Sequence, residues 1–196
     1  MAEKRVIIYC GIFDEELELA LAPLSHRYEI TFIRLKPGYH CLIEELEARL
    51  QEALASDLIK DKKDVRLFFG QKCLPDMPEF AKKHGVKVLP TGNCLSAMVG
   101  DKKLVELERN RTIVLTPAWI RKMFLSPEGI PATSSWDAAD FRMNFGRYDR
   151  VLVLETTEPP TDEEILETFD LLGNPIIEFE PATLDHFNKL VEEFLA

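Results

Sequence analysis

Residues 5–24 read RVIIYCGIFDEELELALAPL, and this stretch decides the fold. RVIIYC, residues 5–10, is a short apolar, β-branched run with the character of a buried strand. From residue 13 to 24 the apolar positions Leu17, Leu19, Ala20, Leu21 and Leu24 recur near helical spacing. Asp14, Glu15 and Glu16 lead that segment, where negative charge meets the positive end of a helix dipole. A strand passing directly into such a helix predicts a βα unit.

The pattern recurs outward from this unit. YEITFIRL is followed by LIEELEARLQEALASDL, in which Ile43, Leu46, Leu50 and Ala53 line one helical face. VRLFFG, KVLP, TIVLTP and RVLVLET read as further short buried strands. Helical candidates around 75–84, 94–108, 117–125 and 136–146 separate them. TDEEILETFDLLG, PIIEFE and TLDHFNKLVEEFL complete the chain, with Thr161 and Glu164 spaced as a capping box for a helix from Asp162. Parallel neighbours need crossover connections, and helices supply them. The expected fold is α/β, a three-layer Rossmann-like or flavodoxin-like sandwich with a mostly parallel sheet, built as a single domain over residues 1–196. The turn-rich stretch LSPEGIPATSSWDAADF reads as a surface excursion, with Trp136 packing it.

Composition narrows the function classes. At 196 residues and 46% hydrophobic composition, the chain can bury one large core. Its 24 Lys and Arg against 34 Asp and Glu give a formal charge of −10, which opposes phosphate neutralisation and argues against nucleic-acid partners. No apolar run approaches the ~20 residues of a membrane span, and MAEKRVIIYC lacks a signal-peptide h-region. A cytoplasmic protein without a membrane partner is expected. In that reducing compartment the four cysteines are expected to be free, metal-bound or catalytic rather than a disulfide framework.

The cysteines fall where chemistry is expected. Cys10, Cys41 beside His40, Cys73 and Cys94 each follow a strand candidate, and ligands of open parallel sheets bind beyond the carboxyl ends of the strands. Backbone N–H groups and helix dipoles at such places favour thiolate. Gly11, Gly70 and Gly92 stand close to three of the cysteines and permit tight turns or close backbone approach. Three Cys with one His suit a closed tetrahedral zinc site, and three thiolates equally suit an iron–sulfur cluster. The candidate metal ligands are Cys10, His40, Cys73 and Cys94, with Gly11, Gly70 and Trp119 as cofactor-binding candidates. Cys41 has the weakest claim, and His26, His84 and His186 read as solvated or capping histidines. Buried cysteines that only pack are the competing account. No GxGxxG, P-loop, HExxH or GxSxG occurs.

In their order, several elements resemble a family known only as domain of unknown function 1638: Cys10-Gly11, Glu16-Leu17, His40, Gly70-x-x-Cys73, Cys94 with Gly100, and Thr116-x-x-Trp119. The resemblance extends over nearly the full chain. It implies an uncharacterised α/β protein of anaerobic metabolism, associated with corrinoid-dependent methyl transfer. A corrinoid cofactor, and a corrinoid protein or methyltransferase as partner, are expectations of that resemblance. Where the family has His-Asp before the later Cys, this chain has Gly92-Asn93, which leaves His40 as the imidazole.

Three readings follow. The first is a protein binding a metal ion, iron–sulfur cluster or metallocofactor, in an accessory role in corrinoid-linked methyl transfer. The second is a metal-free enzyme or redox protein using Cys73 or Cys94. The third is an acidic interaction module with structural cysteines. Sequence leaves the oligomeric state open, a homo-oligomer included.

Overall fold

The computed structural model describes residues 2–59, 64–127, 129, 137–173 and 176–196. Its strands are β1 (Glu3–Cys10), β2 (Tyr28–Leu35), β3 (Val65–Phe68), β4 (Lys87–Val88), β5 (Thr112–Leu115), β6 (Arg150–Glu155) and β7 (Ile177–Pro181). The helices are α1 (Asp14–Leu21), α2 (Ile43–Leu54), α3 (Met77–Lys83), α4 (Cys94–Val99), α5 (Asp101–Leu107), α6 (Ala138–Phe145), α7 (Asp162–Leu172) and α8 (Asp185–Leu195). Residues 128 and 130–136 of the expected surface excursion, Trp136 among them, lie outside the described residues.

The protein is an α/β sandwich of parallel strands, as the βα pattern predicts. Among the described residues the strands form two ladders rather than one sheet, ordered β2-β1-β3-β4 and β5-β6-β7. Every pairing in both is parallel. Side chains along a strand point alternately to opposite faces, and the burial pattern follows that rule. Ile7 and Phe68 face the cluster that holds α1 and α8, whereas Val6, Ile8 and Leu67 face α2 and α3 through Leu46, Leu50 and Met77. In the second ladder Val151 and Val153 join the first cluster, while Val114, Leu152 and Leu154 meet Leu104 of α5. One continuous cluster therefore joins the two ladders.

The last helix ties the assembly together. Phe187 of α8 stacks on Phe13 at 5.6 Å between centroids, and Phe194 meets Phe68 edge-on at 5.1 Å. Each such ring pair adds about 1 kcal/mol beyond area burial. The Thr161 capping box forms as predicted, with Glu164 N–H donating to Thr161 Oγ1 and Thr161 N–H to Glu164 Oε2. The helical candidate over 94–108 breaks at Gly100, whose φ of 86° ends α4 and starts α5. Among the described residues no helix is long and apolar enough to cross a membrane.

Candidate functional site

The order 2-1-3-4 of the first ladder is that of a doubly wound sheet, in which the strand order reverses between β1 and β3. Ligands of such sheets bind in the crevice at that switch point, outside the carboxyl ends of the strands. Cys10 is the last residue of β1, and the loop after β3 carries Gly70 and Cys73. Cys94 opens α4 beyond β4, and His40 sits in the 3₁₀ turn that follows β2. Strand end, loop and helix start thus bring Cys10, His40, Gly70, Cys73, Cys94 and Trp119 to one cavity of ≈ 20 Å³. That is room for a single atom-sized occupant.

Local sequence places each group. Asn93 caps α4: its side chain accepts from Ser96 N–H at 2.8 Å, and Ser96 Oγ accepts from Asn93 N–H at 2.9 Å. This reciprocal box holds Cys94 at the first helical position, and an Asn-x-x-Ser spacing could have announced it. Gly70 is required because the 92–93 backbone crosses it; a Cβ there would lie 2.4 Å from Asn93 Cα and 2.5 Å from the Gly92 carbonyl oxygen. In the Thr-x-x-Trp element, Thr116 Oγ1 accepts from Trp119 N–H at 3.4 Å. Trp119 then opens a π-helical turn, Trp119–Phe124, a wide geometry found often at functional sites. Its Nε1–H donates to Cys94 Sγ at 3.3 Å, and its ring lies 6.1 Å from that of His40.

Not every expected group joins the cavity. Cys41 is exposed and does not line it. Gly11 opens the β1–α1 turn, where it makes room for another side chain; a Cβ there would meet the Arg34 guanidinium at 2.6 Å. Arg34 is held by Asp14 at 3.0 Å, which also pairs with Lys122 at 3.0 Å. Ile12, Phe13, Phe69 and Met123 complete the walls. They escape a sequence search for chemistry because each reads as ordinary core.

Electrostatics departs from the expectation of ready thiolates. Burial pushes the Cys73 thiol up to about 11 and the Cys94 thiol up to about 12, against smaller lowering from backbone and Trp119 hydrogen bonds. Cys10 is raised further, again chiefly by burial, with Cys94 and Cys73 adding to the rise. At neutral pH the three groups are therefore thiols. Burial lowers the His40 pKa, so its imidazole is neutral and offers a nitrogen lone pair. Among the described residues no group of three or more His, Cys, Asp and Glu side chains is spaced to hold a metal ion. The donors share a cavity without converging on one point.

The chain belongs to the family described as protein of unknown function (DUF1638), which matches residues 34–191. The match takes in His40, Cys73, Cys94 and Trp119 and begins after β1 and α1, so Cys10, Gly11 and Glu16 lie outside it. No curated protein and no solved structure matches the chain.

Proposed function

We propose that this family member binds a metal ion through Cys10, Cys73 and Cys94, with His40 as fourth ligand or outer partner. The observation that carries the reading is that three thiols and one imidazole, brought from separate elements, line one atom-sized cavity. Chemically the donor set fits: three thiolates and a neutral imidazole are good zinc ligands and serve iron as well. Thiols held neutral by burial need a cation to ionise, so loading would release protons and draw the side chains inward. The same burial weighs against metal-free nucleophilic chemistry at Cys73 or Cys94, because the thiolate is the nucleophile.

The size of the cavity favours a single ion over a cluster, for which walls such as Phe13 and Met123 would have to move. A corrinoid exceeds it by far. In an accessory role beside corrinoid-dependent methyl transfer, the corrinoid would be carried by a partner protein. With His40 bound the ion would be a closed structural centre; with His40 withdrawn it would keep an open position for Lewis-acid chemistry.

Anaerobic purification without chelator or His tag, followed by metal and acid-labile sulfide analysis, tests the reading. One zinc or iron per chain without sulfide is expected, and a cobalt(II)-loaded sample should show thiolate charge-transfer absorption. A Cys10→Ser, Cys73→Ser, Cys94→Ser variant that folds and keeps full metal content would overturn it.

A further inference from the structure

Two walls of the thiol cavity come from turns far apart in the chain. The 3₁₀ turn Gly11–Phe13, which follows Cys10, supplies Ile12 and Phe13. The π-helical turn Trp119–Phe124 supplies Trp119 and Met123. Lys122 spans the two. Its Nζ donates to the Gly11 carbonyl oxygen at 3.2 Å and to Asp14 Oδ2 at 3.0 Å. The side chain is 19% exposed, so water and salt screen these charge-assisted bonds weakly.

Both ends of this link are held in place. Asp14 also accepts from Arg34 Nε, at 3.1 Å to Oδ1 and 3.0 Å to Oδ2. Arg121, the residue before Lys122, reaches the other way: its Nε donates to Glu164 Oε1 at 3.0 Å and its Nη2 to the Pro159 carbonyl oxygen at 2.8 Å. The π turn is thus strung between the segment entering α7 and the turn leaving β1. A lysine side chain is a flexible four-carbon stem with a charged head. Anchored at both ends, it limits how far two walls can part, yet it folds as they approach. A single ion needs its ligands drawn inward, which the stem allows. A cluster needs Phe13 and Met123 pushed apart, which the stem resists.

We propose that Lys122 is the specificity-determining residue of the cavity, a tether between the Phe13 and Met123 walls that admits one metal ion and shuts out an iron–sulfur cluster. It acts through the walls and not as a ligand. This role rests on the metal reading above and adds to it the residue that sets how many metal ions enter.

Anaerobic reconstitution of the full chain with ferrous and ferric iron and sulfide tests it, read by iron content, acid-labile sulfide and visible absorption. The native protein should hold one iron per chain without sulfide. Lys122→Met, with an unchanged circular dichroism spectrum, should take up about two to four irons with matching sulfide and turn brown. Lys122→Arg keeps a cationic donor and should return the native result. A native protein without metal defeats the metal reading and this inference with it. One iron without sulfide in both the native protein and Lys122→Met overturns the tether alone, and so does a cluster in the native protein. Should Lys122→Met fail to fold, Asp14→Asn, which removes the ionic anchor, decides in the same assay: sulfide uptake supports the tether, and the native result overturns it.

Discussion

Two cavities of the protein are opposite in character. The groove beside β2 is some thirtyfold larger than the thiol chamber, at ≈ 620 against ≈ 20 Å³, and offers ring faces and aliphatic walls. Its one guanidinium, Arg34, is engaged by Asp14. The chamber has almost no volume, yet it gathers three sulfurs, an imidazole and an indole N–H. Large pockets are the default guess for a site because they bury ligand area. Where the ligand is one ion, donor chemistry and position at the β1/β3 switch point are better guides than volume.

Serine substitutions draw that contrast most sharply. Cys94→Ser should take bound metal from one per chain to near none in the anaerobic assay, while Cys41→Ser, on the exposed thiol, should leave it unchanged. Equal loss from both would dissolve the distinction between chamber and surface. Phe32→Lys, in the groove, should leave metal content at the native level.

Trp119→Phe comes next in size. It keeps an aromatic wall and removes the Nε1–H that donates to Cys94 Sγ. Outer-shell hydrogen bonds of this kind typically affect metal affinity by roughly 10–100-fold. Competition with a chromophoric chelator should show weakening in that range, and an unchanged affinity would reduce Trp119 to packing.

Glycine replacements test how the two cavities are walled. Gly70→Ala drives a Cβ into the backbone of residues 92 and 93, which cannot yield without shifting α4. A cost of about 1–3 kcal/mol is expected. At Gly11 the collision is with the far end of the Arg34 side chain, which can rotate away at the expense of its pair with Asp14. Gly11→Ala should therefore cost less, on the order of 1 kcal/mol. Chemical denaturation of the two variants side by side measures the difference.

These same residues show what sequence alone could reveal. Strand-end position was enough to bring Cys10, Cys73, Cys94 and His40 together, because parallel strands all release their loops at one end of the sheet. It could not tell that Gly11 serves Arg34, since that depends on a contact between residues 23 positions apart across the β1–β2 pair. The Thr161 box was legible because all its partners are local. The division into two ladders was not, because hydrophobic runs report that a strand is buried and say little about which neighbour it pairs with. Burial also reversed the charge expected of the thiols: backbone N–H groups at strand ends do lower them, but desolvation is the larger effect.

Burial acts on one further group that the Glu-Leu element had marked without a role. Glu16 of α1 is fully buried, and Thr156 Oγ1 after β6 donates to its Oε1 at 2.8 Å. This hydrogen bond ties α1 to the segment that follows β6. Among the described residues Oε2 has no hydrogen-bond partner, and burial raises the carboxyl pKa, outweighing the bond from Thr156. In the folded protein the group therefore holds its proton to higher pH than in the unfolded chain, where a Glu titrates near ~4.3. The folded state binds more protons between the two values, so stability falls as pH rises through that window. Glu16→Gln cannot ionise, and its carbonyl can still accept from Thr156. Below the unfolded pKa the variant and native protein should differ little; above it the variant should gain relative stability, by about 1 kcal/mol for each pKa unit of the shift. Melting curves taken from acid to neutral pH give the difference directly. A gap that stays constant with pH would mean that Glu16 is ionised in the fold and that its unpartnered oxygen finds its charge compensation in Lys122, the cation that already acts to lower its pKa.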